Sequence, residues 1–236
     1  MNFAIIAAGE GSRLVQEGVA LPKPLVDIDG RPMIRRLIDI FVSCNAESIS
    51  IIVNEQMTQV REYLEKVRAE INVPIQLVVK STPSSMHSFY EVSSVFPAGS
   101  KFILTTVDTI FRPDDFARYA KAFDADDSCD GYMAVTEFID DEKPLYIDVD
   151  NAGIITAFRD EAFDGVKYIS GGIYGLTTPA IGILSDCMAN GVSRMRNYQR
   201  ALVSGGLRLR AFNLGKIIDV DHAGDIETAR NFLADK

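Results

Sequence analysis

Apolar residues fall along this chain in short unbroken runs separated by amphipathic stretches. Residues 3–8, 49–53, 75–79, 102–106 and 131–136 are five such runs. A strand covered on both faces reads as a continuous apolar block instead of an alternating one, so these runs predict buried strands. Between them, residues 32–42, 56–70, 84–96 and 113–123 place apolar side chains at helical spacing. Met33, Leu37, Ile40 and Phe41 share one side of the first stretch, and Val60, Tyr63, Leu64 and Val67 share one side of the second. Strands alternating with helices predict βαβ units and a parallel sheet with right-handed crossovers.

The pattern changes after residue 136. Residues 145–149 and 154–158 are short strand-like runs around the polar turn Asp150-Asn151-Ala152-Gly153, which predicts a hairpin. Residues 168–176 form an apolar strand interrupted by Gly171 and Gly172, a sign of a bulge or of close approach by a ligand or another backbone. Helical runs at 179–190 and 193–204 follow, then an apolar run at 217–220 leading into a helix at 226–233. No linker, repeat or low-complexity segment separates the halves. The expectation is one domain over residues 1–236, its first half ending at 136 and its second, mixed α+β half spanning 137–236.

The chemistry concentrates in the first thirty residues. The first strand runs into Gly9-Glu10-Gly11-Ser12-Arg13-Leu14, and Pro22-Lys23-Pro24-Leu25 follows. Glycines let main-chain N–H groups approach an anion, and successive N–H groups in such a turn form an anion-binding nest. Arg13 adds a planar fork suited to phosphate oxygens, and Lys23 adds a point charge aimed by its flanking prolines. A dinucleotide fingerprint would need a third glycine where Leu14 stands, although Asp27 and Asp29 lie near the offset of its ribose-binding acid. No Gly-Lys-Ser/Thr of a P-loop is present. Ligands of open α/β sheets bind at the carboxyl ends of strands, which selects Asp108 after the run 102–106. A carboxylate there suits a divalent cation. The run 217–220 likewise carries Asp219, with Asp221 two residues on and on the same face. Asp225 reads as a helix N-cap, and His222 as a turn residue with no partner. Arg194, Arg196 and Arg200 read as a solvated helix face, with an acceptor phosphate or a partner subunit as the alternatives.

Composition narrows the partners. Twenty-four Lys and Arg against 33 Asp and Glu leave a net charge of −9, a poor match for nucleic acid or an anionic membrane. No apolar stretch approaches the roughly 20 residues of a membrane span, and no basic segment precedes the first apolar run, so no secretory leader is expected. The three cysteines, Cys44, Cys129 and Cys187, are odd in number and widely spaced, which points away from a disulfide framework and toward a reducing cytoplasm.

The stretch Ala7-Ala8-Gly9-Glu10-Gly11-Ser12-Arg13-Leu14, followed by Pro22-Lys23-Pro24-Leu25, resembles the signature of the sugar-phosphate nucleotidyltransferases, the nucleotide-sugar pyrophosphorylases. The resemblance implies a Rossmann-like three-layer α/β/α fold with a mostly parallel mixed sheet. It implies a reaction in which a nucleoside triphosphate and a sugar 1-phosphate give a nucleotide-sugar and pyrophosphate. It implies that Ala8, Gly9, Gly11 and Ser12 wrap the triphosphate, that Arg13 binds the leaving pyrophosphate, and that Lys23 contacts phosphate near the reacting phosphorus. Asp108 and Asp219 would hold Mg2+, with Asp221 as the fallback ligand. Gly172 would contact the acceptor, and the second half of the chain would cover the acceptor end. In place of the family's Gly-Thr-Ala-like segment that meets the base stand Ser84 and Ser85, a serine-rich version resembling phosphocholine cytidylyltransferase-like relatives. The family often has a Glu-Lys-Pro after the hairpin, its lysine on the sugar phosphate. Here Glu142-Lys143-Pro144 precedes the hairpin and reads as coincidence, leaving Arg159 and Lys167 as substitute cations. No hexapeptide-repeat tail follows residue 236, so no fused acyltransferase is expected. Two other functions stay open: a phosphocholine-type cytidylyltransferase, and a regulatory homologue that binds a nucleotide-sugar without chemistry. A homo-oligomer is also open.

Overall fold

A computed structural model describes residues 1–138 and 143–234. Its first half contains β1 (Asn2–Ala7), α1 (Ser12–Gln16), β2 (Asp27–Ile28), β3 (Arg31–Pro32), α2 (Met33–Ser43), β4 (Ser48–Val53), α3 (Thr58–Glu70), β5 (Ile75–Val79), α4 (Ser85–Ser93), β6 (Phe102–Thr106), β7 (Thr109–Ile110), α5 (Pro113–Ala125) and β8 (Gly131–Thr136). Its second half contains β9 (Tyr146–Val149), β10 (Ile155–Arg159), β11 (Tyr168–Leu176), α6 (Pro179–Ala189), α7 (Met195–Ser204), β12 (Leu209–Asn213), β13 (Ile218–Asp219) and α8 (Ala223–Ala234).

β1 lies at the centre of a nine-stranded sheet, parallel to β4 on one side and β6 on the other, with β5 parallel beyond β4. Its burial explains the unbroken apolar run. Phe3, Ile5 and Ala7 face a core closed by α2, α3 and α5, while Ala4, Ile6 and Ala8 face a second core closed by α4, α6 and α7. The helices over the two cores are the outer layers of an α/β/α sandwich, and the sheet is the middle layer. Stacked rings knit the first: Phe3 and Phe41 lie 4.6 Å apart, and Phe111 and Phe116 lie 4.9 Å apart. A third cluster, built on Leu14, Val26, Ile28, Ile110, Val220 and Phe232, docks α1, β7, β13 and α8 against one another beside the strand ends.

The second half extends the same sheet. β11 runs antiparallel to β6 and β8, the β9–β10 hairpin joins the first residues of β11, and β12 runs parallel to β8. The apolar pattern does not announce β12, since Leu209 is its only fully buried residue. The five-residue helix α1 is likewise too short to show a period. The paired glycines of β11 mark a bulge: its register against β8 shifts between Ser170, opposite Val135, and Tyr174, opposite Met133. Gly172 there has φ +72°, and a side chain at Gly171 would collide with Ile217.

Tyr119 is fully buried, and its hydroxyl enters the β8–β11 ladder. It accepts from Gly175 N–H at 2.6 Å and donates to Tyr132 C=O at 2.7 Å, bridging two residues that are register partners. Removal of the hydroxyl leaves both backbone groups unpaired in the core. The Tyr119→Phe protein is expected to lose about 1–3 kcal/mol of stability, measured as a lower urea midpoint with an unchanged slope.

Candidate active site

The glycine loop leaves the carboxyl end of β1 and turns into α1 at Gly11, whose φ of 62° lies in the left-handed region. A Cβ at Gly11 would sit 2.9 Å from Lys23 Cβ, so the stem of Lys23 passes directly against the loop. Lys23 opens a 3₁₀ turn between Pro22 and Pro24 and is only 9% exposed. Its Nζ lies 2.6 Å from Asp108 Oδ2 and 2.6 Å from Asp221 Oδ1. Arg13 Nη1 lies 3.1 Å from the other Asp221 oxygen. Burial opposes the charge on Lys23, but the two carboxylates outweigh it and raise its pKa above the ordinary lysine value. Burial opposes the charge on Asp221 as well, and the contacts with Lys23 and Arg13 overcome it, lowering its pKa.

The chain around Asp221 is held from two sides. Val220 N–H donates to Asp108 C=O at 3.1 Å, tying the end of β13 to the loop after β6. Asp225 sits inside the first turn of α8, not at its N-cap. Its carboxylate reaches back to the N–H groups of Asp221 (2.9 Å) and His222 (2.7 Å), one half of a capping box. His222, expected to lack a partner, meets Glu17: Nδ1 lies 2.6 Å from Oε1, while Oε2 accepts from Ala223 N–H at 2.6 Å. These contacts lower the pKa of Glu17, through Ala223 and then His222, and raise that of His222 through Glu17. Glu17 thereby joins the end of α1 to the start of α8.

Two contiguous clefts open at the strand ends. The first, of about 810 Å³, is lined by Ala8, Gly9, Gly11, Ser12, Arg13, Lys23, Ser84 and Ser85, all anticipated from sequence. Asn54, Gln56, Ser81 and Thr82 also line it and were not anticipated. Asn54 follows β4 and is 7% exposed; it donates to Ala8 C=O at 3.4 Å and accepts from Gln56 N–H and the Ser81 hydroxyl, both at 3.0 Å. The rule that selected Asp108 at the end of β6 also points to residues 54 and 81–82 at the ends of β4 and β5.

The second cleft, of about 390 Å³, shares Ser85, Thr106, Asp108 and Asp221 with the first and continues to Gly172 and Asp219. Arg159 and Lys167 line neither cleft. Arg159 pairs with Asp148 at 3.0 Å and lies over the Phe163 ring on the hairpin side. The second cleft instead contains Lys143, from the triplet dismissed as coincidence; Glu142 lies outside the described residues. Arg194 and Arg196 also line it, so this helix face is not simply solvated. Arg196 is steadied by Asp160 at 2.6 Å and by Lys143 C=O at 2.9 Å, and Arg200 bonds Asp160 at 2.7 Å. Arg194 adopts φ +72° at the start of α7.

Asp108, Asp219 and Asp221 thus line one space, with Lys23 linking the first to the third. Among the described residues, no three carboxylate, histidine or cysteine side chains form a metal cage. The arrangement is a glycine-rich loop and two cations beside a pair of carboxylates, placed where two clefts meet.

Residues 3–165 match the MobA-like NTP transferase domain family. The chain is 32% identical over 121 residues to a 2-aminoethylphosphonate cytidylyltransferase of Lancefieldella rimae, an alignment covering 48% of this chain and 47% of that protein. It is 23% identical to the bifunctional protein GlmU of Methanococcus maripaludis over 100% of this chain and 55% of that protein. The chain therefore spans about half the length of these curated relatives. The inositol-1-phosphate CTP transferase from T. maritima has the same fold, with a TM-score of 0.80 at 18% identity over 99% of this chain and 97% of that one. With most of the chain matched and the glycine loop, Lys23 and the strand-end carboxylates gathered in one place, this protein belongs to the MobA-like NTP transferase family.

Proposed function

We propose that this protein transfers a nucleoside monophosphate from a nucleoside triphosphate to a sugar 1-phosphate, forming a nucleotide-sugar and releasing pyrophosphate. The observation that carries this reading is the position of Lys23. Its ammonium lies beside Asp108 and Asp221, where the cleft bearing the phosphate loop joins the cleft bearing Gly172. An acceptor phosphate in the second cleft and a triphosphate in the first would meet there.

In this reaction an oxygen of the acceptor phosphate attacks the α-phosphorus, and the bond from that phosphorus to the bridging oxygen of pyrophosphate breaks. Both reactants are anions, so the site has to neutralise charge and hold them in line. The N–H groups of the loop at Gly9–Ser12 would hold the triphosphate, Arg13 would take the departing pyrophosphate, and Lys23 would stabilise charge at the reacting phosphorus. The nucleophile is already ionised, so no general base is needed. Ser84 and Ser85, with Asn54 and Ser81, would face the nucleoside.

The donor set suits magnesium. Asp108 and Asp221 place two hard oxygens around one cation, and Asp219 lines the same space. Magnesium characteristically takes one or two carboxylates and completes its shell with phosphate oxygens and water. When bound, the ion would neutralise phosphate charge. Asp108 would hold it, together with Asp219 or Asp221.

The likeness to a 2-aminoethylphosphonate cytidylyltransferase favours a second reading, in which CTP is the donor and a phosphonate or phosphocholine-type compound the acceptor. Among the described residues no helix is long and apolar enough to cross a membrane, and Cys44, Cys129 and Cys187 are unpaired. The free cysteines support action in a reducing compartment such as the cytoplasm.

Pyrophosphate release with magnesium, for four nucleoside triphosphates against a panel of phosphorylated acceptors, tests the proposal. Turnover is expected for one donor and acceptor pair and is expected to stop on chelation with EDTA. Lys23→Ala should lower kcat by about 10²–10³-fold. Gly11→Ala forces a Cβ onto the Lys23 stem, so it should reduce kcat as well, with the change in Lys23 position visible in a crystal structure. Pyrophosphate release unaffected by Lys23→Ala would refute the role given to this side chain.

A further inference from the structure

We infer that Glu17 is a positioning residue, which holds the turn carrying Asp221 in place beside Lys23 while Arg13 is engaged by phosphate. The inference rests on the nucleotidyl-transfer reading above and concerns how the same site keeps its geometry during the reaction.

Arg13 and Glu17 stand four residues apart, about one turn of α1, so both side chains leave the same face of that helix. Both reach the chain that leads into α8. Arg13 Nη1 meets Asp221 at 3.1 Å. Glu17 meets the next two residues, with Oε1 2.6 Å from His222 Nδ1 and Oε2 accepting from Ala223 N–H at 2.6 Å. The helix that continues from the glycine loop is thereby fastened to the turn at two points. In the proposed reaction the first point is given up, because Arg13 takes the departing pyrophosphate. Glu17, His222 and Ala223 line neither cleft, so the second point persists with both substrates in place.

The aim of Asp221 depends on that second point. Val220 N–H ties the turn to Asp108 C=O, and the Asp225 carboxylate ties the N–H groups of Asp221 and His222 to α8 itself. Neither contact reaches α1. Glu17 supplies that link from a residue 206 positions away from Ala223 in sequence. A carboxylate is well suited to the place, since the first N–H groups of a helix lack partners within it and favour negative charge. Asp225 already caps this helix from within, so the carboxylate brought by α1 adds registration between glycine loop and turn. The Glu17 side chain is exposed, and its removal leaves no cavity in the core.

Pyrophosphate release is measured for the full chain with the donor and acceptor pair found above. Glu17→Ala should lower kcat by about 10–100-fold, the cost of a misplaced catalytic group, with little change in KM for the triphosphate. Glu17→Gln should recover most of the loss, because its amide oxygen still accepts from Ala223 N–H. In an Asp221→Asn background Glu17→Ala should cost nothing more, since both changes act through one carboxylate. In crystals, Lys23 Nζ and Asp221 should part beyond hydrogen-bonding distance in Glu17→Ala and stay in contact in Glu17→Gln. A wild-type kcat in Glu17→Ala, or the same fold loss in the Asp221→Asn background, overturns the inference and leaves nucleotidyl transfer standing. If the wild type releases no pyrophosphate with any pair, the transfer reading falls. The crystal of Glu17→Ala then decides the inference by itself: a parted Lys23 and Asp221 supports the positioning role, and an unchanged pair overturns it.

Discussion

A single buried ammonium joins the parts of this molecule that carry its chemistry. Lys23 lies against the glycine loop through its stem and against Asp108 and Asp221 through its head, and Asp221 is 198 residues further along the chain. Taking an ammonium out of water is costly, and two carboxylates at 2.6 Å offset that cost. The dependence is mutual. Without Lys23, Asp108 and Asp221 would repel one another across the point where the two clefts meet. The proposed reaction would draw on the same balance of charge, since phosphates bring negative charge and a divalent cation brings positive charge.

The sheet determines where that ammonium can sit. β1, β4, β5 and β6 are parallel, so their carboxyl ends share one edge and deliver the glycine loop, Asn54, Ser81 and Asp108 to it. β11 is antiparallel to β6, with Ile173 opposite Thr105, so its beginning, not its end, reaches the same edge. Ser170 and Gly172 arrive there for this reason, and the bulge makes room for the chain of β13 behind them. The third apolar cluster then holds α8 so that the turn before it presents Asp221 to Lys23.

The second cleft is assembled differently from the first. The first is built mainly on the loops at the carboxyl ends of parallel strands. The second draws Lys143 from the segment before the β9–β10 hairpin, Ser170 from β11, and Arg196 and Gln199 from α7. Asp160 and the Lys143 carbonyl fasten Arg196 to the hairpin side, so hairpin and helix are coupled at the wall of that cleft.

Local sequence was enough for most of the longer strands and helices and for the place of the glycine loop, because each depends on neighbours within a few residues. The run 3–8 is apolar on both faces because helices cover both, and Gly11 is glycine because a side chain would meet Lys23. Asp108 was legible from its place after a buried strand. The pairing of Lys23 with Asp221, the meeting of His222 with Glu17, and the presence of Lys143 in place of Arg159 or Lys167 were not legible. Each joins residues far apart in the chain, and no periodicity or spacing records such a distance. β12 was missed because its side chains are only partly buried, and its strand conformation comes from pairing with β8. What the sequence determined alone was the layered fold and the glycine-loop wall of the first cleft; what only the tertiary structure decided was which distant carboxylates and cations face one another, because that follows from how the sheet edge, the β11 bulge and α8 pack together.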